Sequence, residues 1–320
     1  AAGAHVPLVL RRIEERLGVL ADGHGPVLAG HAGTTIAAGG KRLRPLLVLV
    51  AAGPPEGWED PSGDGLVRAG VAVELVHSAT LVHDDVLDAA ALRRGVPTVW
   101  ATAGREMATA TGDLLFSRAF SELVATGSLE AVRTLSHAGS ALAEGELLQR
   151  EDAWNGAVAI ERYLHRCELK TARLFEASCR LGALAAGADA AIVASLGAFG
   201  RRIGLAFQIL DDVLDVSGDA ARTGKHRGTD LLDGTVTLPL ILARERDGTL
   251  ADIDLRSIVT PDQAAAVCAR IEATGATADA TEQALQIVAE AKQELARLAL
   301  EDSQRVALDL VADSVVDRRA

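Results

Sequence analysis

Leu66-Val67-Arg68-Ala69-Gly70-Val71-Ala72-Val73-Glu74-Leu75-Val76-His77-Ser78-Ala79-Thr80-Leu81-Val82-His83-Asp84-Asp85-Val86-Leu87-Asp88 is almost wholly apolar until it ends in three aspartates. Its apolar residues recur at three and four spacing, which predicts one long helix from Leu66 to Ala91. On such a helix Asp84 and Asp88, at i and i+4, point the same way one turn apart. Gln208-Ile209-Leu210-Asp211-Asp212-Val213-Leu214-Asp215 repeats the pattern near the end of a second predicted helix, Ile192 to Val216. The same periodicity predicts helices over Leu129 to Arg150, Ala157 to Leu184 and Thr281 to Asp317, and no stretch alternates as a strand does. The fold class is therefore all-α.

The breaks fall where Gly and Pro cluster, at Gly53-Pro54-Pro55, Pro61 to Gly65, Gly95 to Pro97, Gly218 to Gly234 and Asp247-Gly248. Thr260-Pro261 reads as an N-cap with Pro at the first helical position. With no long Pro/Ser linker and no repeat, the 320 residues read as one domain, 1–320, large enough to enclose a cavity. The chain is 49% hydrophobic but only 3% aromatic, so its apolar mass is Ala, Leu, Val and Ile, which suits packed helices and not a β-sandwich.

Charge narrows the function. Lys and Arg number 32 against 44 Asp and Glu, a net −12, which argues against a general nucleic-acid binder or a protein held on anionic lipid. Three widely spaced cysteines, Cys167, Cys179 and Cys268, form neither a disulfide framework nor a zinc motif, and fit a reducing, cytoplasmic setting. Purely apolar runs such as Leu46 to Ala52 fall far short of the ~18 residues of a membrane helix, so no transmembrane segment is expected. Ala1 to Leu17 reads as an amphipathic helix and not as a signal peptide.

One D-D-x-x-D could be a solvated acidic face. Two are harder to explain that way, because like charges at i,i+4 destabilise a helix and carboxylates near its C-terminus oppose the macrodipole. A compensating cation is called for. Carboxylates without His or Cys suit a hard ion, Mg²⁺, whose shell substrate phosphates usually complete. The basic residues fit that picture: Lys41, Arg42 and Arg44 after Gly39-Gly40, Arg93-Arg94 after the first acid motif, Lys170-Thr171 in a helix, and Gly224-Lys225 after the second motif. Arg forks grip phosphate oxygens and Lys acts as a point charge.

These motifs, in this order, resemble the trans-polyprenyl (isoprenyl) diphosphate synthases over nearly the whole chain. The match includes Gly-Gly-Lys41-Arg42-Leu43-Arg44-Pro, Glu74 through Asp88, Arg93-Arg94-Gly-Val-Pro, Gly112-Asp113, Glu144-Gly-Glu-Leu-Leu-Gln149, Lys170-Thr171, Phe207-Gln208 through Asp215, and Thr237-Leu-Pro239. The resemblance implies a single large helical bundle of the isoprenoid synthase type around a deep central cavity, usually homodimeric. It implies Mg²⁺ on Asp84, Asp88 and Asp211, with Asp85, Asp212 and Asp215 in support. Arg93, Lys170, Thr171, Gln208 and Lys225 would hold an allylic diphosphate, and Lys41, Arg44, His77 and Arg94 isopentenyl diphosphate. His77 alone would read as a core histidine and Gln208 as an ordinary buried amide.

The implied activity is condensation of isopentenyl diphosphate with an allylic diphosphate to give a longer all-trans polyprenyl diphosphate. Ala79 and Thr80, five and four residues before Asp84, are small where bulky aromatics close the tunnel in short-chain members, which points to a long-chain product. Thr229 and Thr235 stand where the family often has lysines, so diphosphate binding on that side is expected to be weaker or differently arranged. The alternatives are a short-chain (farnesyl or geranylgeranyl) synthase, a class I terpene cyclase and a non-catalytic partner subunit. A cyclase uses aromatic walls and an Asn/Ser/Glu second motif, whereas this chain has five Phe, three Trp, one Tyr and a second D-D-x-x-D. Inactive subunits typically lose an acid motif, and both are intact here.

Overall fold

The computed structural model describes residues 5–21, 25–37, 40, 42–58, 60, 62–218 and 227–317. The first nine helices are α1 (Val6–Ala21), α2 (Gly25–Ala37), α3 (Leu43–Ala52), α4 (Asp64–Leu87), α5 (Val99–Val124), α6 (Leu129–Asp152), α7 (Ile160–Cys167), α8 (Arg173–Ala185) and α9 (Ala190–Ser217). The helices after α9 include Leu238–Arg246, Pro261–Ala273, Ala276–Leu295 and Asp302–Val316. Among the described residues the only strands are β1 (Leu92–Arg93) and β2 (Val96–Pro97), paired antiparallel as a hairpin. The all-α expectation is met. The predicted break at Gly95 is the turn of that hairpin, too short to read as strand.

Two differences have physical causes. The stretch read as continuous from Thr281 to Asp317 is two helices, Ala276–Leu295 and Asp302–Val316. No Gly or Pro marks the gap; Arg305 caps it by donating to the carbonyls of Leu298 and Leu300. The stretch read as one helix from Ala157 to Leu184 is α7 and α8 joined by a π-helical turn, Glu168–Ala172. The start at Thr260 is as expected: its hydroxyl accepts from Gln263 N and the Gln263 side chain returns to the Thr260 N–H, closing a capping box.

Contacts divide the chain into two compact units. The first comprises 1–139, 174–200 and 294–311, and the second 140–173, 201–293 and 312–320, so that α6 and α9 contribute to both. Within the first unit α4 is the central helix, contacted by α1, α3 and α5. Val71, Ala72, Val73, Leu75 and Val76 have no exposed surface, as a helix apolar on all sides requires. Close approach depends on glycine: a Cβ on Gly70 would lie 2.5 Å from Ile13 Cδ1 of α1, and one on Gly182 2.0 Å from the Val48 carbonyl oxygen. The core of the second unit includes Tyr163, Ile209, Leu238, Cys268 and Ile271, all with no exposed surface.

By length and mean hydropathy α4 and α9 are long and apolar enough to cross a membrane, a test that counting unbroken apolar runs did not anticipate. Of α4's apolar window 72% is buried within the protein, as in a core helix, and of α9's 44%.

Gly182→Ala is expected to lower the unfolding free energy by roughly 1–3 kcal/mol through overpacking. Gly65→Ala, in α4 with nothing within 4 Å of the added methyl, is expected to raise it by ~0.5–1 kcal/mol. Urea unfolding of the two variants checks both signs.

Candidate active site

The first acid motif ends α4. Asp88 is the helix C-cap, its N–H donating to the Asp84 carbonyl at 2.8 Å. The carboxylate of Asp88 is exposed and that of Asp84 half-buried, while Asp85 is turned inward with 5% of its surface exposed. Burying a carboxylate is costly unless a donor meets it, and Arg93 does so, its Nε lying 2.7 Å from Asp85 Oδ1. The hairpin makes this possible. Arg93 pairs with Val96 across a two-residue turn in which Arg94 (φ 54°) and Gly95 (φ 77°) are both left-handed, the geometry that suits the twist of a tight hairpin. Burial pushes the Asp85 carboxyl up, and the Arg93 guanidinium opposes that rise.

In the same unit a set of cations surrounds His77. Arg44 lies in the first turn of α3 with its guanidinium 5.1 Å from the centre of the Phe175 ring. Arg94 reaches back over Gly40, where a Cβ would stand 2.9 Å from Arg94 Nη1. Burial, and then the guanidiniums of Arg44, Arg94, Arg93 and Arg42, push the His77 pKa well down, which keeps the imidazole neutral. Lys41 lies outside the described residues.

The second unit holds the other motif. Asp211 is exposed on α9, whereas Asp212 is 5% exposed and accepts from Tyr163 Oη and Gln208 Nε2, both at 2.7 Å. Gln208 Oε1 in turn accepts from Thr171 Oγ1 at 2.7 Å. Burial pushes Asp212 up, and the two donors oppose it. Asp215 accepts the backbone N–H of Thr229 at 3.1 Å and of Asp230 at 3.2 Å, so it anchors the short helix that follows the motif. Thr235 donates its N–H to the Asp230 carbonyl at 2.7 Å. Lys225 lies outside the described residues.

Lys170 and Thr171 sit on the π turn, a geometry that recurs at functional sites. Gly145 permits it, since a Cβ there would lie 2.5 Å from the Lys170 nitrogen. Lys170 donates to Glu146, which also accepts from Arg150 at 2.8 Å. Sequence reading assigned no part to Tyr163 or Glu146. Glu146 stands in a quoted motif; Tyr163, the chain's single tyrosine, carried no local signal.

Of the two residues read as tunnel-lining, Ala79 has no exposed surface and packs within the first unit, whereas Thr80 is half-buried and bonds the His77 carbonyl at 2.8 Å.

The donor set fits a hard divalent cation. Asp84, Asp88 and Asp211 offer oxygen alone, and among the described residues no three His, Cys, Asp or Glu side chains gather into a closed cage. A cation on the carboxylates of either motif would complete its shell from phosphate oxygens and water.

A family model described as polyprenyl synthetase matches residues 26–273. The heptaprenyl diphosphate synthase component 2 of Geobacillus stearothermophilus is 44% identical over 206 residues, 64% of this chain and 63% of that protein, so the chain spans just under two thirds of that relative's length. The decaprenyl diphosphate synthase of Rhodobacter capsulatus superposes with a TM-score of 0.89 at 33% identity, covering 99% of this chain and 98% of that one. The polyprenyl synthase of Caulobacter crescentus CB15, solved with calcium and isoprenyl diphosphate, superposes with a TM-score of 0.86 at 36% identity, covering 100% of this chain and 96% of that one. Relatives named for short-chain products match as well. Since the matched region takes in both acid motifs and the cations between them, the chain belongs to the polyprenyl synthetase family.

Proposed function

We propose that this chain is a Mg²⁺-dependent prenyltransferase that condenses isopentenyl diphosphate with an allylic diphosphate into a long all-trans polyprenyl diphosphate. The observation that carries the reading is the sorting of each D-D pair. Asp85 and Asp212 are buried on protein donors, while Asp84, Asp88 and Asp211 keep carboxylate surface exposed. That division suits carboxylates placed to meet a cation and phosphate, not a merely solvated face. We further infer that residues 1–320 act as one synthase domain, as a homodimer in the cytoplasm.

Asp84, Asp88 and Asp211 would hold divalent cations, which would supply the charge that turns diphosphate into a leaving group. Arg93, Lys170 and Lys225 take up the negative charge that develops as the allylic diphosphate departs. Thr171 and Gln208, tied together by a hydrogen bond, orient that substrate. Lys41, Arg44 and Arg94 bind isopentenyl diphosphate as cations, and neutral His77 adds an N–H donor. They present its double bond to the allylic carbon, and holding two reactants so supplies much of the rate. Proton loss to the released diphosphate restores an allylic product one unit longer. Departure of diphosphate leaves an allylic carbocation, from which water must be kept because it would otherwise capture it. Relatives named for heptaprenyl and decaprenyl products favour the long-chain reading over the short-chain one.

Turnover should stop in excess chelator, and Asp84→Ala or Asp211→Ala should each lower it ~10²–10³-fold or more; undiminished turnover in either variant overturns the metal assignment. Arg44→Ala should raise KM for isopentenyl diphosphate, whereas Lys225→Ala should act through the allylic substrate, which steady-state kinetics with each substrate varied in turn resolves. Thr80→Phe should shorten the dominant product while sparing the first condensation, read as product mass. Ala79→Phe, entering a packed core, should instead cost roughly 1–3 kcal/mol of stability.

A further inference from the structure

The turn into α3 is held by a side chain to which the proposed reaction assigns no part. Arg42 has φ 46°, a left-handed backbone that residues bearing a Cβ adopt rarely and that persists where surroundings over-determine it. The surroundings here are four hydrogen bonds. Nε and Nη2 donate to the two Glu14 oxygens of α1 at 2.5 and 3.0 Å, Nη1 to Glu74 of α4 at 2.5 Å, and Nη2 also to the Ile36 carbonyl of α2 at 3.1 Å. One guanidinium thus ties α1, α2 and α4 to the residue that begins α3. The anchor is firm, since Glu74 is only 4% exposed.

Both ends of this clamp lead to the cation set. Arg44 follows Arg42 by two residues on α3, and His77 follows Glu74 by three on α4, so Arg44 and His77 each lie about one helical turn or less from a clamped residue. A packing role alone would not require the strained residue to be the one joined to both carboxylates.

We propose that Arg42 is a positioning residue for isopentenyl diphosphate: clamped by Glu14 and Glu74, it fixes the strained turn that aims Arg44, together with His77, at one diphosphate. This rests on the reading of Arg44, Arg94 and His77 as the site of that substrate.

Three variants test it. Arg42→Gly accepts the left-handed turn without strain and loses the clamp; Glu74→Gln keeps the shape and removes a charge. Arg16→Met is the comparison, since it breaks another ion pair of the same unit, Arg16 Nε to Glu122 Oε2 at 2.5 Å. Calorimetric binding of isopentenyl diphosphate to the full chain without metal is read beside KM for each substrate. Arg42→Gly should weaken isopentenyl diphosphate binding and raise its KM about tenfold or more, since small misplacements of a binding group cost up to ~10²-fold. Glu74→Gln should move both in the same direction, and decides the matter should Arg42→Gly not fold. KM for the allylic substrate should stay within about twofold of wild type, because its groups are not on the clamp. Arg16→Met should leave isopentenyl diphosphate binding unchanged. Wild-type binding by a folded Arg42→Gly or by Glu74→Gln overturns the inference, as does an equal loss in Arg16→Met. A wild-type protein that neither binds nor consumes isopentenyl diphosphate overturns the functional reading itself, and this inference with it.

Discussion

Two consecutive residues on an α-helix point about 100° apart, so an Asp-Asp pair cannot send both carboxylates to one place. In each acid motif one member must turn toward the core, and a buried carboxylate is tolerable only against donors. Much of the local architecture answers that constraint. A tight hairpin with two left-handed residues brings Arg93 back onto Asp85. Tyr163 and Gln208 close on Asp212, and Gln208 is then fixed well enough to take Thr171 as its own donor. The inward aspartates therefore build the supports, while Asp84, Asp88 and Asp211 keep exposed surface.

Sequence reading found the outward aspartates because the i, i+4 spacing is local: Asp84 and Asp88 need only the helix they sit on. It placed Asp85 and Asp212 merely in support, since their burial depends on partners that spacing does not reveal. Tyr163 is 49 residues from Asp212, and no local pattern joins them. The long helices were legible for the same reason: apolar periodicity places α6 and α9 to within two residues at each end, while α4 ends at Leu87, four residues before the expected Ala91. What escaped was set by single side chains. Arg305 holds the gap between two helices, one without Gly or Pro, by capturing two of its carbonyls, and Gly145 makes room for a π turn that nothing in Glu168–Ala172 itself announces.

Ala79 marks the other boundary. A small residue at a given distance from a metal motif reads equally well as an open passage or as a close helix contact, because both require a missing side chain. Ala79 has no exposed surface and its neighbour Thr80 is half-buried. Successive helical residues again point to different surroundings, so one of the pair packs while the other keeps surface.

The placement of cations in so acidic a chain follows one logic in both units. Arg42 meets Glu74, which is nearly buried, and drawing that guanidinium away would leave a buried carboxylate without it, a costly change. Lys170 differs. Its carboxylate, Glu146, is also met by Arg150 at 2.8 Å, and Lys170 and Arg150 together hold Glu146 below the usual carboxylate range against the effect of burial. A cation that is to exchange its partner for diphosphate can do so at low cost only if the partner left behind keeps another charge. Glu146 meets that condition: were Lys170 drawn to a diphosphate oxygen, as the proposed reaction has it, Arg150 would still hold Glu146.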